Sequence, residues 1–381
     1  MQVVVSKKDL FRVLARCQGV ADKKSTMPFL GNVLLVAGSD QLKLAATDLY
    51  LAVTGSIPAE VSREGSIALG ARDVFERVRM MPDGQISITA DDSASTTIRA
   101  VGSARRYTLH GIPGQEFPAL PQPDDDATPL TLRVDTLSRL IASTHFSIST
   151  DETRLHLNSA LFEWDGACVR MVTTDGHRLT KAEATIEGQK AQATMLIPLK
   201  GVLELKRLCD EARAEAGKTE DEPLELTMLQ SGPNAFFRLA GFQFSVKLVD
   251  AQFPPYHQVI PEMSERVVRA PRLAVADALR AVSVAASDRT GGVKLTLGGG
   301  SMRFESESPE SGEGFDEVPV EYDAGEVTIG FNAKYFLEAL MAVDDDEILL
   351  AISGELDPAV VRPGTESPQA SYLAVIMPMR I

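Results

Sequence analysis

The sequence predicts an α+β protein built from three similar domains. Three observations carry that expectation: a length of 381 residues, short motifs that recur at nearly constant spacing, and helix-period segments alternating with strand-period segments in each recurrence. A single hydrophobic core stops growing well before this length, so the chain needs two or three. Hydrophobic residues make up 44% and charged residues 24%, which are the proportions of an ordered globular chain rather than a disordered one.

In chain order, the first repeat opens on a helix whose apolar residues Leu10, Val13, Leu14 and Cys17 fall at i, i+3, i+4 and i+7. Asn32 leads into Val-Leu-Leu, and the alternating Leu42, Leu44, Ala46 run into Thr47-Asp48. Ile67-Ala-Leu-Gly70 precedes a second helix with Val74, Phe75 and Val78, and Gln85–Thr89 alternates as a strand. Phe117-Pro118 precedes Ala-Leu-Pro121, and the Pro- and Asp-rich stretch Gln122–Pro129 marks a boundary.

The second repeat returns these marks in the same order. Asn158 leads into Ser-Ala-Leu-Phe; Val169, Met171, Thr173 run into Thr174-Asp175; Leu196-Ile-Pro198 precedes Val202, Leu205 and Leu208. Phe236–Lys247 alternates, and Phe253-Pro254 precedes Pro-Tyr-His-Gln-Val-Ile-Pro261. Matching motifs lie 126, 127 and 136 residues apart, and an insertion around residues 211–222, read as a solvated helix extension or loop, accounts for the drift. A more diverged third repeat carries Leu273, Ala276, Leu279 and Val282 on a helix, then the strand Val293–Leu297. Val327-Thr-Ile-Gly330 then precedes a helix with Phe336, Leu337, Leu340 and Met341. With a second boundary near Glu262–Pro271, the expected domains are 1–122, 130–262 and 263–381.

Charge refines the picture. The chain holds 38 Lys and Arg against 53 Asp and Glu, a net charge of −15, which spread evenly would repel nucleic acid and anionic membranes. The six predicted helices (windows 6–18, 71–81, 134–144, 199–213, 272–283 and 332–342) hold fifteen basic and nine acidic residues, so they sum to +6 and leave −21 elsewhere. Solvated charged helix faces account for much of that asymmetry. Twelve such helices from two chains, packed side by side at roughly 8–10 Å, line a circle with a free bore of about 22–28 Å, just wide enough for a duplex of about 20 Å. A ring of this kind holds DNA by topology and needs only weak phosphate contacts.

Other readings are narrowed by what the residues lack. Cys17, Cys168 and Cys209 have no CxxC spacing, which argues against a disulfide framework or structural zinc and fits a reducing compartment. Gln2–Val5 followed by Ser6-Lys7-Lys8 is too short an apolar run for a signal peptide, and no stretch reaches the 18 apolar residues of a membrane span, so a cytoplasmic location and no membrane partner are expected. There is no GxxxxGK[ST] and no HExxH, and the histidines at 110, 145, 156, 177 and 257 do not cluster in sequence. Asp124-Asp-Asp126 and Asp344-Asp-Asp346 read as linker or turn, and Gly298-Gly-Gly300 as a hairpin tip. No basic block interleaved with aromatics is present to stack single strands. Two other classes stay open from residues alone: an acidic cytoplasmic hydrolase of duplicated α+β domains, which would need convergent carboxylates or histidines, and an interaction scaffold that does not touch DNA.

Several motifs in order carry a resemblance over essentially the whole chain. They are Thr174-Asp-Gly-His-Arg-Leu179, Lys247-Leu-Val-Asp250 with Phe253-Pro254, the C-terminal Met377-Pro-Met-Arg380, Pro28-Phe-Leu-Gly-Asn32, Ala46-Thr-Asp48, Lys200-Gly201 and Gly330-Phe-Asn332. The chain resembles the β sliding clamp family, the processivity subunits of bacterial DNA polymerase III. The resemblance implies a DNA clamp fold: a homodimeric ring of six domains with helices lining the channel and antiparallel sheets outside. It implies no catalysis and no cofactor or metal. Implied partners are encircled duplex DNA without sequence preference, the replicative polymerase catalytic subunit, the clamp loader, and other polymerases and repair proteins bearing short peptides with a glutamine and a hydrophobic end. The implied location is the cytoplasm, at the nucleoid.

Residue matching places a peptide pocket at Leu157, Thr174, Gly176, His177, Arg178, Leu179, Pro254, Val259, Val375, Met377, Pro378, Met379 and Arg380, with Gln258 on its rim where many clamps carry an arginine. The chain ends in Ile381 where leucine is frequent. Lys24, Arg72, Arg79 and Lys200 match positions facing DNA, while Lys7, Lys8, Arg12 and Arg16 fall off the apolar stripe of the first helix. At the dimer joint, Arg105 and Arg106 beside an edge strand Tyr107–His110, with Tyr107 and Leu109 on it, would meet an acidic region holding Glu305, Glu307, Glu310, Glu313, Asp316 and Glu317, and complementary charge would steer the pairing.

Overall fold

The structure, a computed structural model, describes residues 1–22, 24–186, 192–217, 223–262, 266–287 and 290–380. Residues 218–222 of the inserted segment and the terminal Ile381 lie outside the described residues. The first repeat runs β1 (Gln2–Ser6), α1 (Lys7–Val20), β2 (Asn32–Gly38), β3 (Gln41–Thr47), β4 (Leu51–Arg63), β5 (Gly65–Gly70), α2 (Ala71–Arg79), β6 (Gln85–Ala90), β7 (Ser95–Ala100) and β8 (Arg106–His110), with a two-residue β9 (Ile112–Pro113) added. The second runs β10 (Leu130–Arg133), α3 (Val134–Thr144), β11 (Ser159–Asp165), β12 (Cys168–Thr174), β13 (Arg178–Thr185), β14 (Gln192–Pro198), α4 (Leu199–Ala216), β15 (Glu225–Ser231), β16 (Asn234–Leu239) and β17 (Phe242–Lys247). The third runs β18 (Val267–Pro271), α5 (Arg272–Ser283), β19 (Gly292–Gly298), β20 (Ser301–Ser308), β21 (Gly312–Pro319), β22 (Val327–Asn332), α6 (Ala333–Met341), β23 (Glu347–Ala351), β24 (Ala359–Pro363) and β25 (Ala370–Ile376). Each repeat thus spells strand, helix, four strands, helix, three strands.

Two compact units do not follow the repeats. One comprises residues 1–134 and 203–248, the other 135–202 and 249–381, so the middle repeat is divided. The physical reason is sheet continuity. In the first unit β17 pairs antiparallel with β4 (Phe242 opposite Gly55, Phe244 opposite Val53), which joins second-repeat strands to first-repeat strands in one thirteen-stranded sheet. In the second unit β13 pairs with β25 (Leu179 opposite Val375), giving an eight-stranded sheet ordered β14-β11-β12-β13-β25-β24-β23-β18. A four-stranded sheet, β21-β20-β19-β22, completes that unit.

The cores follow the predicted stripes. Leu10, Val13, Leu14 and Cys17 of α1 are all buried, and α1 stacks on α2 through Phe11 and Phe75 with ring centroids 4.8 Å apart. Burial pushes the Cys17 thiol up to about 12, so it is an inert apolar filler. Phe236–Lys247 is two strands rather than one, because Ala240 (φ +45°) and Gly241 (φ +78°) adopt the left-handed conformation of a two-residue hairpin turn. Gly299 and Gly300, at φ +60° and +77°, turn the chain between β19 and β20 as expected for a hairpin tip. Among the described residues no helix is long and apolar enough to cross a membrane.

Candidate functional site

The Thr174–Leu179 motif forms the turn between β12 and β13, and its polar groups are consumed in making it. The Thr174 hydroxyl donates to the Arg178 carbonyl at 2.6 Å and accepts from the Gly176 N–H at 3.1 Å. Asp175 Oδ1 accepts from the N–H groups of His177 (2.9 Å) and Arg178 (3.1 Å), while Gly176 takes φ +94°. The Thr47–Leu51 turn of the first repeat copies this bond for bond: Thr47 Oγ1 donates to the Leu51 carbonyl and accepts from the Leu49 N–H, and Asp48 Oδ1 accepts from Tyr50 and Leu51 N–H. Leu49 occupies the position of Gly176 at φ +76°.

Asp175, His177 and Arg178, an acid, an imidazole and a guanidinium close together in sequence, therefore do not converge on one atom. His177 is exposed, whereas Arg178 is buried, donates to Asp175, Glu338 and the Phe146 carbonyl, and stacks on Tyr335 at 4.3 Å. Arg178 is thus a buried tie between the turn and α6, with its charge matched by two carboxylates.

Beside this turn lies a cavity of about 250 Å³. Leu179 and Val375, opposite each other on β13 and β25, form its floor, and Met377 follows β25 onto the rim. Pro254, Tyr256 and Val259 of the segment after β17 form one wall; His156 and Leu157 form another; Thr174, Gly176 and Arg178 close it. Beneath it Leu161, Val172, Leu196 and Phe253 pack with Leu179, Tyr256 and Val375 as a cluster of buried apolar side chains. The space is smaller than the roughly 300–1,000 Å³ of sites that engulf a whole small molecule, and it suits a few apolar side chains of a longer ligand.

Nine of the fourteen residues expected for a pocket line this cavity: Leu157, Thr174, Gly176, Arg178, Leu179, Pro254, Val259, Val375 and Met377. His177, Gln258, Pro378, Met379 and Arg380 do not line it, although His177 and Gln258 are exposed next to lining residues. Met379 is drawn elsewhere: its N–H donates to the Gly330 carbonyl at 2.9 Å and its side chain lies against Gly292. Sequence reasoning missed His156 and Tyr256. Tyr256 is buried, and its hydroxyl donates to Glu163 at 2.8 Å; burial first, then that hydrogen bond, pushes the phenol up. Its place two residues after Phe253-Pro254 was the available signal.

The remaining candidates fall as follows. Lys24, Arg72, Arg79 and Lys200 are exposed, with Arg79 paired to Glu76 on its own helix. Arg16 is not on a polar face: it is 1% exposed, reaches Glu215 at 3.0 Å and Glu211 at 3.7 Å, and lies 4.3 Å over the Phe242 ring. Residues 211–216 are the last turns of α4, and their acids face this arginine instead of being merely solvated. Within observed helix bounds the six helices carry fifteen basic and ten acidic residues, a sum of +5.

At the proposed joint, β8 is an edge strand paired only with β7, and it carries exposed Arg106, half-buried Tyr107 and buried Leu109. Arg105 lies just before it and donates to the Met80 carbonyl. In the third repeat β21 is one of the two end strands of the four-stranded sheet, with Glu313, Glu317 and Phe315 exposed. Glu305 and Glu307 sit on β20, whose backbone is already paired on both sides, and Glu305 bonds Lys294 at 2.6 Å. The free edge is therefore one strand further out than these two residues.

Comparison with known proteins agrees with this anatomy. Family models of the DNA polymerase III beta subunit match in order: the N-terminal domain over residues 1–121, the central domain over 131–255 and the C-terminal domain over 257–380. The beta sliding clamps of Pseudomonas aeruginosa and Proteus mirabilis are 30% and 32% identical, with all of each chain covered. The crystal structure of a sliding clamp from Bartonella birtlesii bound to griselimycin superimposes with a TM-score of 0.90 at 30% identity over all of both chains. The three-repeat fold and full-length kinship place this chain in the family of DNA polymerase III beta subunits, the beta sliding clamps.

Proposed function

We propose that two copies of this chain close into a ring around duplex DNA, and that the cavity beside Thr174–Leu179 docks short segments of the replicative polymerase, the clamp loader and other DNA-handling proteins. The chain is a non-catalytic processivity subunit, so its work is tethering. Full-length kinship to sliding clamps is the observation that carries this reading. Supporting it, the cavity is apolar, stands on paired strands and presents Met377 as an adaptable rim, which suits several related peptides. A hydrolase has no counterpart in the site: the Asp175 carboxylate and Arg178 guanidinium are bound up in the turn and its tie to α6.

On this reading Lys24, Arg72, Arg79 and Lys200 contact phosphates without reading bases, and their small number leaves the ring free to slide. The joint pairs β8 of one copy with β21 of the other, which covers two edges that otherwise invite aggregation. Domain boundaries at 1–122, 130–262 and 263–381 and a cytoplasmic location belong to the same proposal. A primer-extension assay with polymerase and clamp loader tests it. Adding this chain should lengthen products per binding event by about tenfold or more, and Val259→Glu with Met377→Glu should abolish the gain. Product length unchanged by the wild-type chain would refute the reading.

A further inference from the structure

A second cavity, of about 400 Å³, lies on the same sheet face as the first. Strand register shows how the two connect. Val375 of the first cavity is opposite Val360 on β24, Val360 is opposite Ala351 on β23, and Ala351 is opposite Val267 on β18. Val360, Ala351 and Val267 line the second cavity, so one cross-strand row of side chains floors both. The segment that walls the first cavity with Pro254, Tyr256 and Val259 goes on to wall the second with Pro261 and Glu262. Val267 is 41% exposed on this floor, an apolar side chain left open among the described residues.

The next row adds charge. Lys181 stands opposite Leu373, and Arg362 opposite Leu349, so two cations border an apolar strip on four adjacent strands. Lys181 also meets Glu183 at 3.1 Å, and the acidic Glu262 and Glu366 are on exposed loops at the rim. A ligand lying on the floor therefore meets aliphatic side chains first and the two cations beside them.

We propose that the second cavity receives the residues that follow the hydrophobic end of a partner segment docked in the first, with an aliphatic side chain on the Val360–Ala351–Val267 row and a carboxylate toward Lys181 and Arg362. This rests on the reading of the first cavity as a peptide dock. Length supports a specific occupant. Three strand spacings separate Val375 from Val267, about 14 Å, which an extended chain covers in about four residues. The hydrophobic end of the segment is the end that enters the apolar first cavity, so it is the continuation beyond that end that meets the second. The contact adds partner discrimination: segments that fill both cavities outcompete those that stop at the first.

Fluorescence anisotropy with synthetic peptides on the full-length chain tests this. The reference peptide is Gln-Leu-Ser-Leu-Phe; a second carries Ala-Ile-Asp-Ala after the phenylalanine, and a third carries the same four residues before the glutamine. The second should bind about tenfold more tightly than the first, and the third no more tightly. Val267→Glu with Leu349→Gln should erase the advantage and leave affinity for the reference peptide unchanged, which also shows that the variant is folded. Equal affinities on the wild-type chain, or an advantage that survives the double substitution, would overturn the proposal. Failure of the reference peptide to bind would instead overturn the reading of the first cavity, and this one with it.

Discussion

Leu49 and Gly176 hold equivalent places in two copies of one turn, and only one of them is a residue suited to it. A left-handed backbone costs a non-glycine residue about 1–2 kcal/mol, and Leu49 is 51% exposed, so its side chain recovers little by packing. Leu49→Gly should therefore raise unfolding free energy by about 1 kcal/mol in urea denaturation, and no gain would show that exposed Leu49 compensates otherwise. This turn was partly legible in the sequence. The Thr-Asp pair at both places gave away the repeat, but nothing local told that Arg178 turns inward to Glu338, 160 residues away, rather than outward to a ligand. The cavity's apolar floor came from residue matching to the family: pairing across β13 and β25 puts Leu179 and Val375 on one face, but alternation alone does not tell that a cavity opens there. Tyr256 was not legible, because its role depends on Glu163, a contact 93 residues distant.

Helix α1 takes its core residues from its own sequence but its counter-charges from α4. The 3.6-residue stripe of α1 was sufficient to place its core residues, yet Arg16 is buried because Glu211 and Glu215 on the final turns of α4 supply its counter-charges. Periodicity within one helix carries no information about a partner helix. Arg16→Ala should cost about 2–3 kcal/mol of stability by stranding two half-buried carboxylates and uncovering Phe242. It should leave the salt dependence of DNA binding unchanged, since Arg16 is not at the surface; a reduced salt slope would contradict the burial.

The face of β12, β13 and β25 on which Arg170, Glu183 and Ser371 meet carries a pH dependence. Burial works against ionisation of Glu183, but hydrogen bonds from Ser371, Lys181 and Arg170 together hold it below its ordinary value of 4.5. A lowered carboxylate stabilises the fold above its unfolded pKa, and that contribution is lost as pH falls through the folded value. Glu183→Gln should therefore flatten the stability loss below about pH 4.5. An unaltered acid-unfolding curve would remove Glu183 as its source.

For the whole molecule, a net charge of −15 and a sum of +5 on the helices describe a protein that DNA does not coat. The repeats made the three-domain plan legible, whereas the two compact units were not, because sheets that cross repeat boundaries leave no local trace. At the proposed joint the sequence shows the acidic region of the third repeat, but only cross-strand pairing shows that β21, and not β20, is an open edge. Arg106→Glu should loosen the dimer more than Arg105→Glu in low-salt sedimentation, because Arg105 is already engaged with Met80. Equal effects, or none, would reject β8 as the joint. Topological tethering is measured by retention after clamp-loader loading on nicked circular DNA against the same DNA made linear. A topological tether persists on circles and runs off ends, so long retention on the circle and rapid loss from the linear form are expected. Equal retention on both would contradict topological tethering.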